Sequence, residues 1–340
     1  MNTANLLKSL DTLAQPRVLV IGDLILDEYI EGEVERISRE APVPVVIAQR
    51  HDYKPGGAAN TLVNITSMGA SATAIGVVGN DNFGLQLKQL LQEAKIQTEA
   101  ICTVEEVTTT TKTRISAQSR QSVMQQVLRL DHLPEQKLNS DAIQQLKQQI
   151  QQEVKNHDIV IVSDYGNGVI VPELIEVVRQ EAQAAQIPWI VDSQEDLRLF
   201  HGASLLTPNQ PEAENNLGYQ INNQETLLKA GKTLLQETGA QALLITRGDE
   251  GMSLFEASGD YHEVSALNRA AVFDVTGAGD TVVATLAVAM GSGCNKQQAM
   301  LLANLAASIV IRRHGCSTTH PQEMRDTLLE MHKKEGNFHD

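Results

Sequence analysis

The sequence predicts an α/β fold: a mostly parallel sheet with helices on both faces, plus a small separate β layer. Three observations predict it. Short apolar runs end in polar residues, as Arg17–Ile21 ends at Gly22-Asp23. From residue 141 onward such runs alternate with helical segments. Two β-rich stretches, 24–49 and 101–131, interrupt that alternation, and the first carries Pro42 and Pro44. Strands alternating with helices give a parallel sheet covered on both sides.

The elements follow in order. Arg17–Ile21 suits a central strand, apolar throughout because both its faces are covered. The 24–49 stretch, with its run Val43–Ile47, reads as strands leaving the core. Pro55-Gly56-Gly57 breaks the chain. Ala58–Met68 has helical character and puts Asn60 and Asn64 on one face at i, i+4. Ala72–Val78 reads as a strand and Asn82–Glu93 as a helix. The 101–131 stretch is rich in Thr, Val and Ile, which suits strands returning to the small layer. Helices are then predicted at Asp141–Val154, Pro172–Ala185 and Gln224–Thr238. Strands are predicted at Asp158–Ser163, Trp189–Val191, Ser204–Leu206 and Ala242–Thr246. Met252–Phe255 and Tyr261–Val264 read as a hairpin, and Thr281–Met290 and Lys296–Arg312 as closing helices. In such sheets ligands bind outside the carboxyl ends of the strands. By that rule Asp23, Asp164, Asp192, Asn209, Arg247 and Asp280 share one rim.

Composition narrows the function. Of 340 residues, 42% are hydrophobic and only 3% aromatic, so the core is aliphatic. The net charge of −15 argues against nucleic acid and anionic membranes as partners. Three scattered cysteines point to a reducing compartment without disulfides. His314, Cys316 and His320 fit no zinc spacing. No signal peptide and no run near 18 apolar residues is visible, so a soluble cytoplasmic protein is expected. Against the acidic background, 108–130 contains no acidic residue but holds Lys112, Arg114, Arg120 and Arg129. That excess suits either a solvated strand face or an anion site.

The sharpest chemical signal is Asp274-Val275-Thr276-Gly277-Ala278-Gly279-Asp280-Thr281, followed by a small-residue apolar run to Met290. It reads as a tight turn opening a buried helix. Glycine permits close backbone approach, and free amides with the helix dipole attract anions. A carboxylate at that mouth, Asp280, could take a proton from an alcohol while the amides hold a phosphoryl group. Alternatively Asp280 or Thr281 caps the helix.

Together with Gly56-Gly57-Ala58-Ala59-Asn60, that stretch resembles the two signatures of the PfkB (ribokinase-like) carbohydrate kinases. Arg36-Ile37-Ser38, Glu40–Val46, Thr110-Thr111-Lys112, Ser163-Asp164-Tyr165, Leu205–Asn209 and Thr246-Arg247 are similar to the heptose 7-phosphate kinases of that family. The resemblance covers nearly the whole chain. It implies a three-layer α/β/α sandwich with a β-sheet lid formed by about 24–50 and 101–130, all in one kinase domain. It implies an ATP-dependent kinase acting on the anomeric hydroxyl of D-glycero-D-manno-heptose 7-phosphate, for cell-envelope sugar synthesis. Asp280 would be the base, and Thr276, Gly277, Ala278 and Gly279 would form the anion hole. Asn209 and Glu212 would organise Mg²⁺, with room for a monovalent cation near the anion hole. Thr246, Arg247, Gly248 and Asn304 would border the nucleotide. Asp23, Gly56, Gly57, Asn60 and Asp164 would hold the sugar. Lys112, Arg114, Arg36, Arg39, Arg120 and Arg129 are candidates for its phosphate, since Arg suits phosphate oxygens. Such lids can pair two subunits, so a homodimer is expected. In many bacteria this kinase is fused to a C-terminal nucleotidyltransferase; this chain ends about where the kinase would.

Two departures bear on the substrate. Asn167 and Gln194 stand where lysines are expected, which removes two positive charges near the site. A PfkB kinase for another sugar is the second reading. A non-catalytic sugar or nucleotide sensor would not need Asp280 beside intact glycines. A dinucleotide-binding oxidoreductase would need G-x-G-x-x-G after the first strand, where Gly22-Asp23-Leu24-Ile25 stands.

Overall fold

Residue-by-residue alternation along each central strand splits the core into two halves. On β1 (Arg17–Gly22), Val18 and Val20 face one apolar cluster while Leu19 and Ile21 face the other. A strand apolar on both faces must lie between two helical layers. The computed structural model describes residues 3–11, 13, 15–119, 123–267 and 274–336. Arg120 lies outside them.

A helix α1 (Thr3–Asp11) precedes β1. The chain then leaves the main sheet for β2 (Leu24–Ile37) and β3 (Pro44–Gly57). It returns through α2 (Ala58–Ser67), β4 (Ser71–Gly79), α3 (Asn82–Glu93) and β5 (Ile101–Val104). A second excursion makes β6 (Thr111–Gln118) and β7 (Gln125–His132). Alternation resumes with α4 (Ser140–Glu153), β8 (Ile159–Asp164), α5 (Pro172–Ala185), β9 (Trp189–Ser193) and β10 (Leu205–Leu206). Next come α6 (Gln210–Leu217), α7 (Gln224–Thr238), β11 (Ala242–Thr246) and the hairpin β12 (Met252–Glu256), β13 (Tyr261–Val264). Helices α8 (Ala278–Gly291), α9 (Lys296–Val310) and α10 (Pro321–Gly336) close the series.

Among the described residues nine strands form the main sheet in the order β13-β12-β11-β10-β9-β8-β1-β4-β5. Pairings from β5 to β11 are parallel, and the β11–β12 and β12–β13 pairings are antiparallel, so β12 alone of these strands runs the other way. Strand order reverses at β1, which opens a crevice beyond its carboxyl end. Helices α2, α8 and α9 cover one face, and α4, α5 and α7 the other. Helix α8 is buried from Asp280 to Ala289, packed against α2, α9 and the sheet. The small sheet has the order β3-β2-β6-β7.

Three expectations change. β5 pairs with β4 at the edge of the main sheet, not with the small layer, because Ile101, Cys102 and Val104 are buried there. The small sheet therefore takes 24–57 and 111–132, with β3 running on to Gly57. Helices α1 and α10 were not expected; they pack on each other and on α9. Among the described residues no helix is long and apolar enough to cross a membrane.

Candidate active site

The turn into α8 demands glycine at one place. Gly277 sits at φ 75°, and a Cβ there would stand 2.6 Å from Asn60 Nδ2. Asp274 fastens the turn: its Oδ1 accepts from Thr276 N and Oγ1, and its Oδ2 accepts from Gly315 N at 2.8 Å. Beyond Gly279, a Cβ would meet open space. No side chain caps the helix. Thr281 Oγ1 is used elsewhere, donating to Asn64 Oδ1 at 2.8 Å.

Asp280 is turned inward and 4% exposed. Its Oδ2 accepts from Asn60 Nδ2 at 2.6 Å, and its Oδ1 from the Tyr165 hydroxyl at 2.5 Å and Thr61 Oγ1 at 3.4 Å. Burial pushes its carboxyl up to about 6, and the Asn60 and Tyr165 hydrogen bonds oppose that rise. Helix α2 supplies Asn60 and Asn64 from one face, as the i, i+4 spacing predicts, with Asn64 Nδ2 donating to the Asn60 carbonyl at 3.0 Å. Gly56 and Gly57 precede it: a Cβ on Gly56 would be 2.8 Å from the Asp27 carboxyl carbon, and Gly57 has φ 55°.

Sequence reasoning missed Asp27. It is 3% exposed, lies close enough to Asp280 for its charge to raise that carboxyl, and pairs with Arg114 Nη1 at 2.8 Å. No well-aligned hydrogen bond reaches its Oδ1, so that oxygen keeps capacity for another donor. The available signal was a carboxylate directly after the buried run Leu24–Leu26.

Asp23 and Asp164, expected to hold sugar, are both engaged by groups of the protein, although Asp164 also borders a cavity. Asp23 accepts three backbone amides, from Tyr165 at 2.7 Å, Asn167 at 3.2 Å and Val169 at 3.2 Å. Asp164 accepts from Gly166 N at 3.0 Å and Ser193 Oγ at 2.8 Å. Both carboxylates build the loop after β8. Burial raises both, Asp23 to about 6.

Two cavities meet at Gly279. One, about 150 Å³, is acidic, bordered by Asp164, Asp192, Asn209 and Glu212. Burial, then the nearby Asp280 and Glu212 charges, push Asp192 up to about 8. The other, about 360 Å³, is apolar, bordered by Thr246, Gly248, Leu267, Val275, Val282 and Asn304. Asn209 and Glu212 also form a reciprocal capping box on α6, at 2.8 and 2.9 Å, so the structural reading and the position beside the chamber coexist. Asn304 Nδ2 donates to the Ser265 carbonyl at 3.0 Å. Arg247 departs from expectation: its guanidinium turns to Glu263 at 2.7 Å, Ser253 at 3.1 Å and Glu250, and does not border the apolar cavity. Carboxylates gathered without a cation suit a divalent ion that shares phosphate oxygens and waters. Among the described residues no three side chains form a ready-made metal cage.

A third cavity, about 380 Å³, lies between the small sheet and the α8 turn, bordered by Tyr29, Lys54, Arg114, Ser116, Thr276 and Gly315. Lys112 Nζ stands 5.1 Å from the Tyr165 ring centroid, which brings it to the same place as Asp280. Arg36 and Arg39 are exposed near the outer end of β2, and Arg129 pairs with Asp131 at 2.7 Å on the edge strand. A larger cavity of about 530 Å³ lies at the opposite end of the strands, beside Trp189, Ser204 and Gln241.

Similarity to known proteins gives the class, a sugar kinase. Residues 15–323 match the pfkB family of carbohydrate kinases, and the chain belongs to that family. It is an ATP-dependent carbohydrate kinase, and its family binds a sugar, ATP and a divalent metal. It is 37% identical over 314 residues to the bifunctional protein HldE of a Nitratiruptor species, covering 92% of this chain and 65% of that protein. It is 38% identical over 317 residues to the bifunctional protein HldE of Haemophilus influenzae, covering 92% and 64%. The chain thus spans about 65% of the length of such relatives. A structure of Arabidopsis thaliana ribokinase complexed with ribose and ATP matches with TM-score 0.73 at 19% identity, covering 93% of this chain and 99% of that one. Escherichia coli phosphofructokinase-2 in complex with fructose-6-phosphate matches with TM-score 0.73 at 20% identity, covering 92% and 99%.

Proposed function

We propose that the chain transfers the γ-phosphoryl group of ATP to the anomeric hydroxyl of D-glycero-D-manno-heptose 7-phosphate, giving the 1,7-bisphosphate. One observation carries the mechanism: a buried, hydrogen-bonded Asp280 stands in the first turn of α8, beside a Gly279 that faces open space. The sugar hydroxyl gives its proton to Asp280 as its oxygen attacks phosphorus, and ADP leaves. A base titrating near 6 is ionised at neutral pH yet still basic enough to help. The amides of Gly277 and Gly279 receive the charge on the transferring group, since those of Thr276 and Ala278 are already bonded within the turn. Mg²⁺ beside Asn209, Glu212 and Asp192 would neutralise the phosphate oxygens. The apolar cavity beside Asn304 takes the adenine. Asp27 and Asn60 grip the sugar, with Asp27 in the role first expected of Asp23, and Lys112 and Arg114 meet its phosphate.

The small sheet acts as a lid over the sugar. Its exposed Ile37, Val43, Ile47, Val127, Leu128 and Leu130 suit pairing with a second copy. A cytoplasmic homodimer follows, with K⁺ near the anion hole by analogy with Escherichia coli phosphofructokinase-2, which has a structure in complex with potassium. Asn167 and Gln194, in place of lysines, favour as second reading a PfkB kinase for a different sugar phosphate. A panel of sugars and sugar phosphates assayed for ADP release decides. Turnover of the heptose 7-phosphate above all others is expected. Its failure as an acceptor, with another sugar turned over, selects the second reading.

A further inference from the structure

The loop after β8 is fixed far more tightly than a connection requires. Gly166 and Gly168 take φ 69° and 91°. Asp23 accepts the amides of Tyr165, Asn167 and Val169, and Asp164 accepts that of Gly166. Four backbone amides within five residues are thus bound by two buried carboxylates. Burying a carboxylate is costly, and both titrate above the ordinary range. What the arrangement delivers is one side chain: Tyr165, whose hydroxyl donates to Asp280 Oδ1 at 2.5 Å.

We propose that Tyr165 is a positioning residue for phosphoryl transfer: held by the Asp23 and Asp164 struts, its hydroxyl fixes the Asp280 carboxylate and favours its ionised form. Asn60 does the same from the opposite side, on Oδ2. Between them they set the carboxylate plane, and Oδ2, which accepts from Asn60, keeps a second lone pair for the acceptor's proton. A donor to the charged form lowers a carboxylate's titration, and here it works against burial. The other ionisable groups facing this pair are Asp27 and Lys112 from the small sheet, Asp192 from β9 and Cys316 from the segment after α9. Lys112, over the Tyr165 ring, steadies it through a cation–π contact.

The inference rests on Asp280 as base, and the test separates the two. In Tyr165→Phe the ring and its packing stay and the donor goes. With heptose 7-phosphate as acceptor, kcat is expected to fall about tenfold while KM for ATP is unchanged. The acid limb of the kcat/KM profile moves to higher pH by about one unit, because the ionised base has lost a charge-assisted hydrogen bond. Asp23→Asn, which loosens the loop at a distance, should move the limb the same way by less. A merely structural role would lower the melting temperature and leave the limb in place. Unchanged kcat and limb in Tyr165→Phe would remove Tyr165 from this role and leave Asp280 untouched. A limb moved to lower pH would also overturn the inference. Wild-type turnover in Asp280→Asn would instead remove the base itself.

Discussion

Gly279→Ala separates the demands of folding from those of ligand binding. Gly279 lies inside α8 with ordinary backbone angles, and a Cβ there meets no heavy atom within 4 Å. Alanine is therefore tolerated by the protein itself. Glycine inside a helix costs roughly 0.5–1 kcal/mol relative to alanine. The variant should melt higher, by about 1 °C for a chain of this size. The space the methyl enters is the junction of the acidic and apolar cavities. If the transferring phosphoryl group lies against these amides, the methyl displaces it, and kcat/KM for ATP should fall by about 10² or more. ADP release under steady state, beside a thermal melt without nucleotide, gives both numbers on one preparation. A protein both more stable and less active cannot be explained by misfolding. A variant with wild-type kcat/KM would show that no ligand approaches the α8 mouth.

Lys112→Ala should raise KM for the sugar phosphate about tenfold or more with little effect on stability. Arg114→Ala should do the same but also melt lower, since it strands the buried Asp27; unchanged KM in both places the substrate phosphate elsewhere. Asp192→Asn should raise the melting temperature near pH 8. A carboxyl lifted to about 8 stabilises the fold below its ordinary value of 3.8 and loses that contribution as pH rises through about 8, so the gain should vanish near pH 4. The same variant should need more Mg²⁺ for half-maximal rate; an unaltered requirement removes Asp192 from the metal's surroundings. Leu128→Glu with Leu130→Glu, on one face of β7, should give monomers by light scattering at tens of micromolar, roughly the scale of a weak interface. A wild-type chain that is already monomeric there refutes pairing through the small sheet.

Elements with local punctuation were legible to the residue. Helix α5 begins at Pro172, and α7 runs between a capping box at Asn223 and a left-handed Gly239. The α8 turn was legible for the same reason: glycines and acid lie within eight residues, and the fold places Asn60 against them. Other features depended on partners far along the chain. Asp23 and Asp27 look equally eligible in sequence, but Asp23 is claimed by amides 142 residues onward, whereas Asp27 pairs with Arg114 near enough to Asp280 to raise it. Arg247 ends a strand at the rim as expected, yet Glu263 on the neighbouring hairpin draws its guanidinium aside. Ile101–Val104 is too short an apolar run to reveal which sheet it joins; only burial against β4 decides.

The central claim is that Asp280 takes the proton of the attacking hydroxyl. Asp280→Asn keeps the shape and can still meet Asn60 and Tyr165 after an amide flip, but it lacks basicity. General-base help is worth about 10²–10⁴ in rate, so kcat is expected to fall at least about 10²-fold, with ATP affinity little changed. The melting temperature should hold or rise, because a buried carboxyl lifted to about 6 no longer has to ionise. Steady-state kinetics beside a melt on this variant is the most direct test. A folded Asp280→Asn enzyme with near wild-type turnover would contradict the account.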